Sequence, residues 1–148
     1  MKIADVQILF YAIDSTSENQ SVAARWLEDS INGQEPLGLT WPTIHQFLRL
    51  GTNPAFPGFM SDDEALGWVD EWLEAGVEVV PDTDLGWDLL TELVRASPRA
   101  LRNAIDDAYL AATAISRGAT LASFDSDFEA FVGHGLRWEH LTGRSRGV

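Results

Sequence analysis

With 148 residues, 45% of them hydrophobic and 22% charged, the chain has the make-up of a single globular domain over residues 1–148, and disordered chains, collagens and coiled-coil rods are excluded. It contains 0 Cys, which removes disulfide frameworks and thiolate metal sites. Ten basic residues against 23 acidic ones give a net charge of −13, and on charge alone nucleic acid is a poor ligand, because phosphate affinity rests largely on Lys and Arg.

The opening Met1-Lys2-Ile3-Ala4-Asp5 is charged too early for a signal peptide. No apolar run nears the roughly 20 residues of a bilayer helix, so a cytoplasmic protein with no membrane partner is expected. Ile3 to Asp5 predicts a very short strand running into an apolar helix, Val6 to Ile13. Ser21 to Ile31 is an amphipathic helix, and Leu37-Gly38-Leu39 a buried strand after a Gly/Pro turn. Pro42 suits a first helical turn, followed by Ile44, Phe47 and Leu48 at helical spacing. Ser61-Asp62-Asp63-Glu64 is a capping box opening a helix to about Ala75. Val77 to Val80 is a strand, Leu85 to Ala96 a helix, and Ala104 to Arg117 the strongest helix, stopped by Gly118. Thr120 to Ser123 is a strand, and Phe128 to Val132 a short helix before a mobile tail.

Short apolar strands alternating with helices are the signature of an α/β fold with a parallel sheet covered on both faces. Ligands of such sheets sit beyond the carboxyl ends of the strands, which directs attention to acidic residues there. Asp5 ends the first strand. Asp125 lies just past the last, with Asp127 two residues on. Asp5 and Asp125 also suit helix caps. Asp107 is harder to explain as structural, because its helical neighbours Leu110, Ala111, Ala114 and Ile115 form the buried stripe. Asp106 falls on a polar face and reads as a surface charge. Two carboxylates about 4 Å apart repel by roughly 4 kcal/mol at an effective dielectric near 20. A divalent cation removes that penalty, and an all-oxygen site favours Mg2+ or Mn2+.

The charge surplus is local. Between Asp62 and Glu92 there are 11 acidic residues and no basic one, and nine of the ten basic residues are Arg. Arg95, Arg99 and Arg102 form one candidate cluster for phosphate, and Arg137, Arg144 and Arg146 another. Most of the six Trp fall at amphipathic positions that suit packing. Trp68 and Trp72, four residues apart, make a candidate partner-binding ridge.

The segment Ala4-Asp5-Val6-Gln7-Ile8-Leu9-Phe10-Tyr11-Ala12 resembles the opening of PIN-domain ribonucleases of the VapC toxin type. So do Asp107-Ala108-Tyr109-Leu110-Ala111-Ala112, Gly118-Ala119-Thr120-Leu121 and Ser123-Phe124-Asp125-Ser126-Asp127-Phe128, while Gly38-Leu39-Thr40-Trp41 with Phe47-Leu48-Arg49-Leu50 is similar to one VapC subgroup. The resemblance covers most of the chain in the family's order. It implies a PIN-like three-layer α/β/α fold and a Mg2+- or Mn2+-dependent endoribonuclease. It also implies a homodimer and a small cognate antitoxin as inhibitor, often through an Arg inserted into the acidic pocket. By position it implies Asp5, Asp107 and Asp125 as metal-binding and catalytic acids, Asp127 as a supplementary acid and Ser123 as the small hydroxyl beside them. Two positions depart from the family. Gln7 stands where an Asn is usual, and Gln46 where a helical Glu is usual.

The mechanism implied is metal-assisted hydrolysis of RNA phosphodiesters. The competing expectation is a catalytically weakened PIN fold kept as a protein- or RNA-binding module, toward which Gln46 points. His45 beside it reads as a surface or packing residue. A phospho-acceptor role for Asp5 ranks last, because it needs a neighbouring acid or a late-strand Lys and the only Lys is Lys2.

Overall fold

The computed structural model describes residues 1–143. Five short strands form its centre: β1 (Lys2–Ala4), β2 (Leu37–Thr40), β3 (Glu78–Val80), β4 (Thr120–Ser123) and β5 (Arg137–His140). Their order across the sheet is β3-β2-β1-β4-β5, and every pairing is parallel. The connections are α1 (Val6–Ile13), α2 (Gln20–Asn32), α3 (Trp41–Gly51), α4 (Asp62–Glu74), α5 (Trp87–Ala96) and α6 (Leu101–Ser116), with 3-10 turns over Ser126–His134.

Strand residues alternate between two cores, which makes three layers. Ala4, Leu37, Leu39 and Ala122 pack with Ile8, Leu9, Trp26, Phe47 and Trp72, under α1 to α4. Ile3, Val80 and Leu121 pack with Leu93, Ala108, Ala111, Phe128 and Phe131, under α5, α6 and the 3-10 turns. Gly38 is required by a close approach, since a Cβ there would overlap Val80 Cγ2. The expected α/β/α architecture and parallel sheet are thus present.

Local signals account for most boundaries. Ser61 Oγ accepts the Glu64 amide at 3.2 Å, as the capping box predicts. Thr40 caps α3 by accepting the Thr43 amide at 3.2 Å, with Pro42 in the first turn. Gly118, at φ +62°, follows α6. One expectation fails. The stretch after Val132 is not wholly a tail: β5 pairs with β4 from Thr120↔Arg137 to Ser123↔His140. Arg-Trp-Glu-His has no apolar run, and an edge strand exposed at both ends writes only a weak alternation. Arg144 and Arg146, and the rest of the predicted tail, lie outside the described residues.

The tryptophans divide. Trp26 and Trp72 are buried and Trp68 stacks on Trp72 at 6.0 Å, but Trp41 and Trp87 are exposed. No helix among the described residues is long and apolar enough to cross a membrane.

Candidate active site

Register places the first two side chains. β1 and β4 pair as Ile3↔Leu121 and Ala4↔Ala122, so the next residue of each strand, Asp5 and Ser123, meet at the carboxyl edge. The Asp5 amide continues the ladder to the Ala122 carbonyl at 3.1 Å. Ser123 Oγ donates to Asp5 Oδ2 at 2.7 Å, and Asp5 Oδ1 accepts the Val6 amide at 2.7 Å, capping α1. The same serine oxygen accepts the Asp125 amide at 2.9 Å. Asp125 Oδ1 in turn accepts the Asp127 amide at 2.9 Å, capping the 3-10 turns. Both capping roles open to these aspartates are therefore real, and they fix each carboxylate at the strand edge.

Asp107 arrives from the other side. Ala104, Ala108 and Ala111 are fully buried and seat α6 closely on the sheet, which carries Asp107 to the same edge. Its neighbours Leu110 and Ala114 are buried as the stripe predicts, and Asp106 is exposed as expected. Four aspartates thus come together from three separate points of the chain: the end of β1, the middle of α6 and the turn after β4.

A cation joins three of them. Arg99 Nη2 donates to Asp125 Oδ2 at 3.0 Å and Nη1 to Asp107 Oδ2 at 3.4 Å, while Nε bonds Asp127 Oδ2. Among the described residues no three carboxylates or imidazoles converge tightly enough on one point to hold an ion as they stand; they converge on the guanidinium instead. Sequence reading grouped Arg99 with Arg95 and Arg102 as a phosphate patch. The structure separates them: Arg95 lines a depression of about 580 Å³ with Asp88, Glu92 and His134, while Arg99 turns to the aspartates. The missed signal was its place in the loop that leads straight into the helix bearing Asp107.

Burial and mutual repulsion tune the acids. Asp5, 7% exposed, is raised from 3.8 to about 6, first by burial and further by Asp125, against the pull of the Ser123 and Val6 hydrogen bonds and of Arg99. Asp107 is raised to about 7, first by burial and then by Asp5 and Asp125, with Arg99 opposing. For Arg99 burial works against the charge, but the surrounding aspartates outweigh it and push its pKa above the usual value. Burial first, and the neighbouring aspartates after it, favour the protonated forms of Asp5 and Asp107, and the single guanidinium opposes this only in part.

The remaining candidates stand further out. Gln7 is half-buried and lines a polar cavity of about 480 Å³ with Tyr11, Asn19, Arg99, Asp125 and His140. Gln46 is half-buried on α3, with no hydrogen bond to the aspartates among the described residues, and His45 is exposed.

The family description "PIN domain" matches residues 2–133. The chain is 35% identical to Ribonuclease VapC37 of Mycobacterium tuberculosis over 141 residues, covering 94% of this chain and 96% of that protein. The chain belongs to the VapC ribonucleases of the PIN-domain family. Ribonuclease VapC33 of the same organism is 31% identical over 144 residues, covering 93% and 96%. The PIN fold also matches VapBC2 from Rickettsia felis, solved bound to a DNA fragment from their promoter, with a TM-score of 0.68 at 15% identity, covering 94% of this chain and 97% of that one. VapBC-1 from nontypeable Haemophilus influenzae superposes with a TM-score of 0.65, again at 15% identity, covering 94% and 96%. At these identities the solved complexes speak for the PIN fold alone.

Proposed function

We propose that this PIN domain is an endoribonuclease toxin that hydrolyses RNA phosphodiesters with Mg2+ or Mn2+, and that it is neutralised by a protein antitoxin. The observation that carries this reading is the gathering of Asp5, Asp107, Asp125 and Asp127 at the carboxyl edge of β1 and β4, where burial and mutual repulsion are opposed only in part by one guanidinium.

The donor set suits a hard dication. It is all oxygen, partly desolvated and rich in carboxylates that repel one another. Asp5, Asp107 and Asp125 would hold the ion. When bound, it supplies a water of lowered pKa and offsets charge on the scissile phosphate. Ser123 keeps Asp5 oriented through its 2.7 Å hydrogen bond and ties Asp125 to the same point, the outer-shell support such ligands need. Asp127, whose backbone amide donates to Asp125 Oδ1, would orient the water or support a second ion. Gln7 faces the polar cavity beside the acids, where the RNA strand would enter.

The partners follow from the same surface. The acidic stretch from Asp62 to Glu92 includes α4, whose Trp68 lines an apolar groove of about 490 Å³ with Phe10, Tyr11, Phe56 and Phe59. That groove, rimmed by negative charge, suits an amphipathic antitoxin segment with basic flanks. A homodimer working in the cytoplasm completes the proposal. Gln46, an amide in place of the usual Glu, favours a second reading: a PIN fold that keeps its partner contacts and has lost most cleavage.

Cleavage of a mixed RNA pool separates the two. The expected result is cleavage with Mg2+ or Mn2+ that stops in EDTA and returns when Mn2+ is restored in excess. Activity that survives chelator removes the metal reading. Mn2+ binding by calorimetry without any cleavage selects the binding module.

A further inference from the structure

Among the described residues the side chain of Arg99 bonds only to acids. It is 40% exposed, and its side-chain contacts go to Asp107, Asp125 and Asp127. Among the described residues no other Lys, Arg or His pairs with these aspartates. The base of the side chain is fixed separately: the Arg99 amide donates to Ser97 Oγ at 3.1 Å, which shapes the Ser97-Pro98-Arg99 turn between α5 and α6. The backbone is therefore held at Ser97, while the guanidinium is held by its charged hydrogen bonds to the aspartates.

The oxygens it uses are the ones an ion would need. Asp125 Oδ1 is spent on the Asp127 amide, which leaves Oδ2, and that atom faces Arg99 Nη2 at 3.0 Å. Asp107 Oδ2 faces Nη1 at 3.4 Å. A dication on these oxygens would stand within a few ångströms of a guanidinium carbon of like charge, in a part-desolvated setting where repulsion is strong. The guanidinium and a dication would thus draw on the same two oxygens. The polar cavity of about 480 Å³ that Arg99 also lines, with Gln7, Tyr11, Asn19 and His140, gives the side chain somewhere to go.

We propose that Arg99 is a resident counter-ion that competes with the divalent cation for Asp107 and Asp125 and, once displaced into the adjoining polar cavity, clamps a phosphate of the bound RNA. This rests on the reading of the aspartates as a cation site. A planar fork released beside that site suits two phosphate oxygens at once. The clamp places an Arg at the rim of an acidic pocket in a chain of net charge −13, where an RNA backbone otherwise finds little attraction.

The test compares the full chain with Arg99→Ala and Arg99→Lys. Mn2+ affinity is measured by calorimetry, and melting temperature is measured in EDTA and in saturating Mn2+. Part-exposed ion pairs are each worth little, so Arg99→Ala is expected to bind Mn2+ about tenfold more tightly, the summed worth of three such pairs. Arg99→Lys, which keeps the charge and loses the fork, falls between. Arg99→Ala should lower the melting temperature in EDTA and leave it unchanged in saturating Mn2+, whereas an Arg with a merely structural role lowers both alike. At saturating Mn2+ the KM for RNA rises about tenfold with kcat little changed. Equal or weaker Mn2+ affinity in both variants, or an unchanged KM, overturns the proposal alone. No Mn2+ binding to any of the three proteins overturns the cation site and this proposal with it. Should Arg99→Ala fail to fold, Arg99→Lys carries the same comparison.

Discussion

Two regions of this molecule are rich in carboxylates, and they behave in opposite ways. The stretch from Asp62 to Glu92 holds 11 acids, and all of them are exposed. The carboxyl edge of β1 and β4 holds only four, but Asp5 is buried, the other three are half-buried, and Asp5 and Asp107 are raised to about 6 and about 7. The number of charges therefore does not set the two regions apart. What sets the proposed site apart is charge withdrawn from water, where repulsion is several times stronger than at the surface. The acidic stretch sets the overall field of the protein, and the small cluster stores energy that a cation can release.

The sharpest way to break the contrast is Asp107→Asn. If the small cluster is the site, cleavage falls by a hundredfold or more, since even supporting groups around such ions are worth ten- to a hundredfold. Metal-free stability at pH 8 rises at the same time, because one member of a repelling set becomes neutral. At pH 5 the gain disappears, since the wild-type carboxyl is then already protonated. A loss of stability at both pH values would mark Asp107 as structural.

The pH profile of the metal-free protein sharpens the comparison next. Asp5 and Asp107 have folded pKa values above their unfolded ones, so the folded state binds more protons between about pH 4 and pH 7. Stability in EDTA therefore falls as pH rises through that window and levels off above it. Asp5 alone corresponds to on the order of 3 kcal/mol. Denaturant melts at pH 4.5 and pH 8 read this directly, and saturating Mn2+ should shrink the difference by restoring stability at the higher pH. A flat or rising profile in EDTA would show that the acids are not strained.

Ser123→Ala comes third. The hydroxyl donates to Asp5 and accepts from the Asp125 amide, and it is fully buried. Its removal leaves the buried Asp5 carboxylate and the part-buried Asp125 amide without this partner, at a cost of about 2 kcal/mol. Asp5 then moves further above about 6, so the loss is larger at pH 8 than at pH 5. Equal losses at both pH values would place the effect in packing rather than in the support of Asp5.

Much of this was legible along the chain, for a physical reason. Strands buried on both faces write continuous apolar runs, and caps and stops such as Ser61, Thr40 and Gly118 act locally, so their signals lie within a few residues. Asp107 betrayed itself by standing on a buried stripe. β5 wrote no such run, because an edge strand with both ends exposed has little apolar patterning to show. Arg99 escaped for a different cause. Its role depends on three acids that lie eight, 26 and 28 residues further along the chain, and the spacing of its own neighbours placed it with Arg95 and Arg102. Pairings of that kind are set by the sheet order, which no local pattern records.

The smallest expected effect tests the other half of the contrast. Asp70 lies in α4, exposed, in the middle of the acidic stretch, and Glu74 stands one turn further along the same helix. Like charges at that spacing cost a few tenths of a kcal/mol, and exposed substitutions away from special features stay within about 0.5 kcal/mol. Asp70→Asn should therefore be neutral or stabilising by a few tenths of a kcal/mol, with unchanged Mn2+ affinity. It removes the same formal charge as Asp107→Asn. If the two substitutions changed metal affinity alike, the cation would be responding to the net charge of the protein, and the four clustered aspartates would have no claim to be its site.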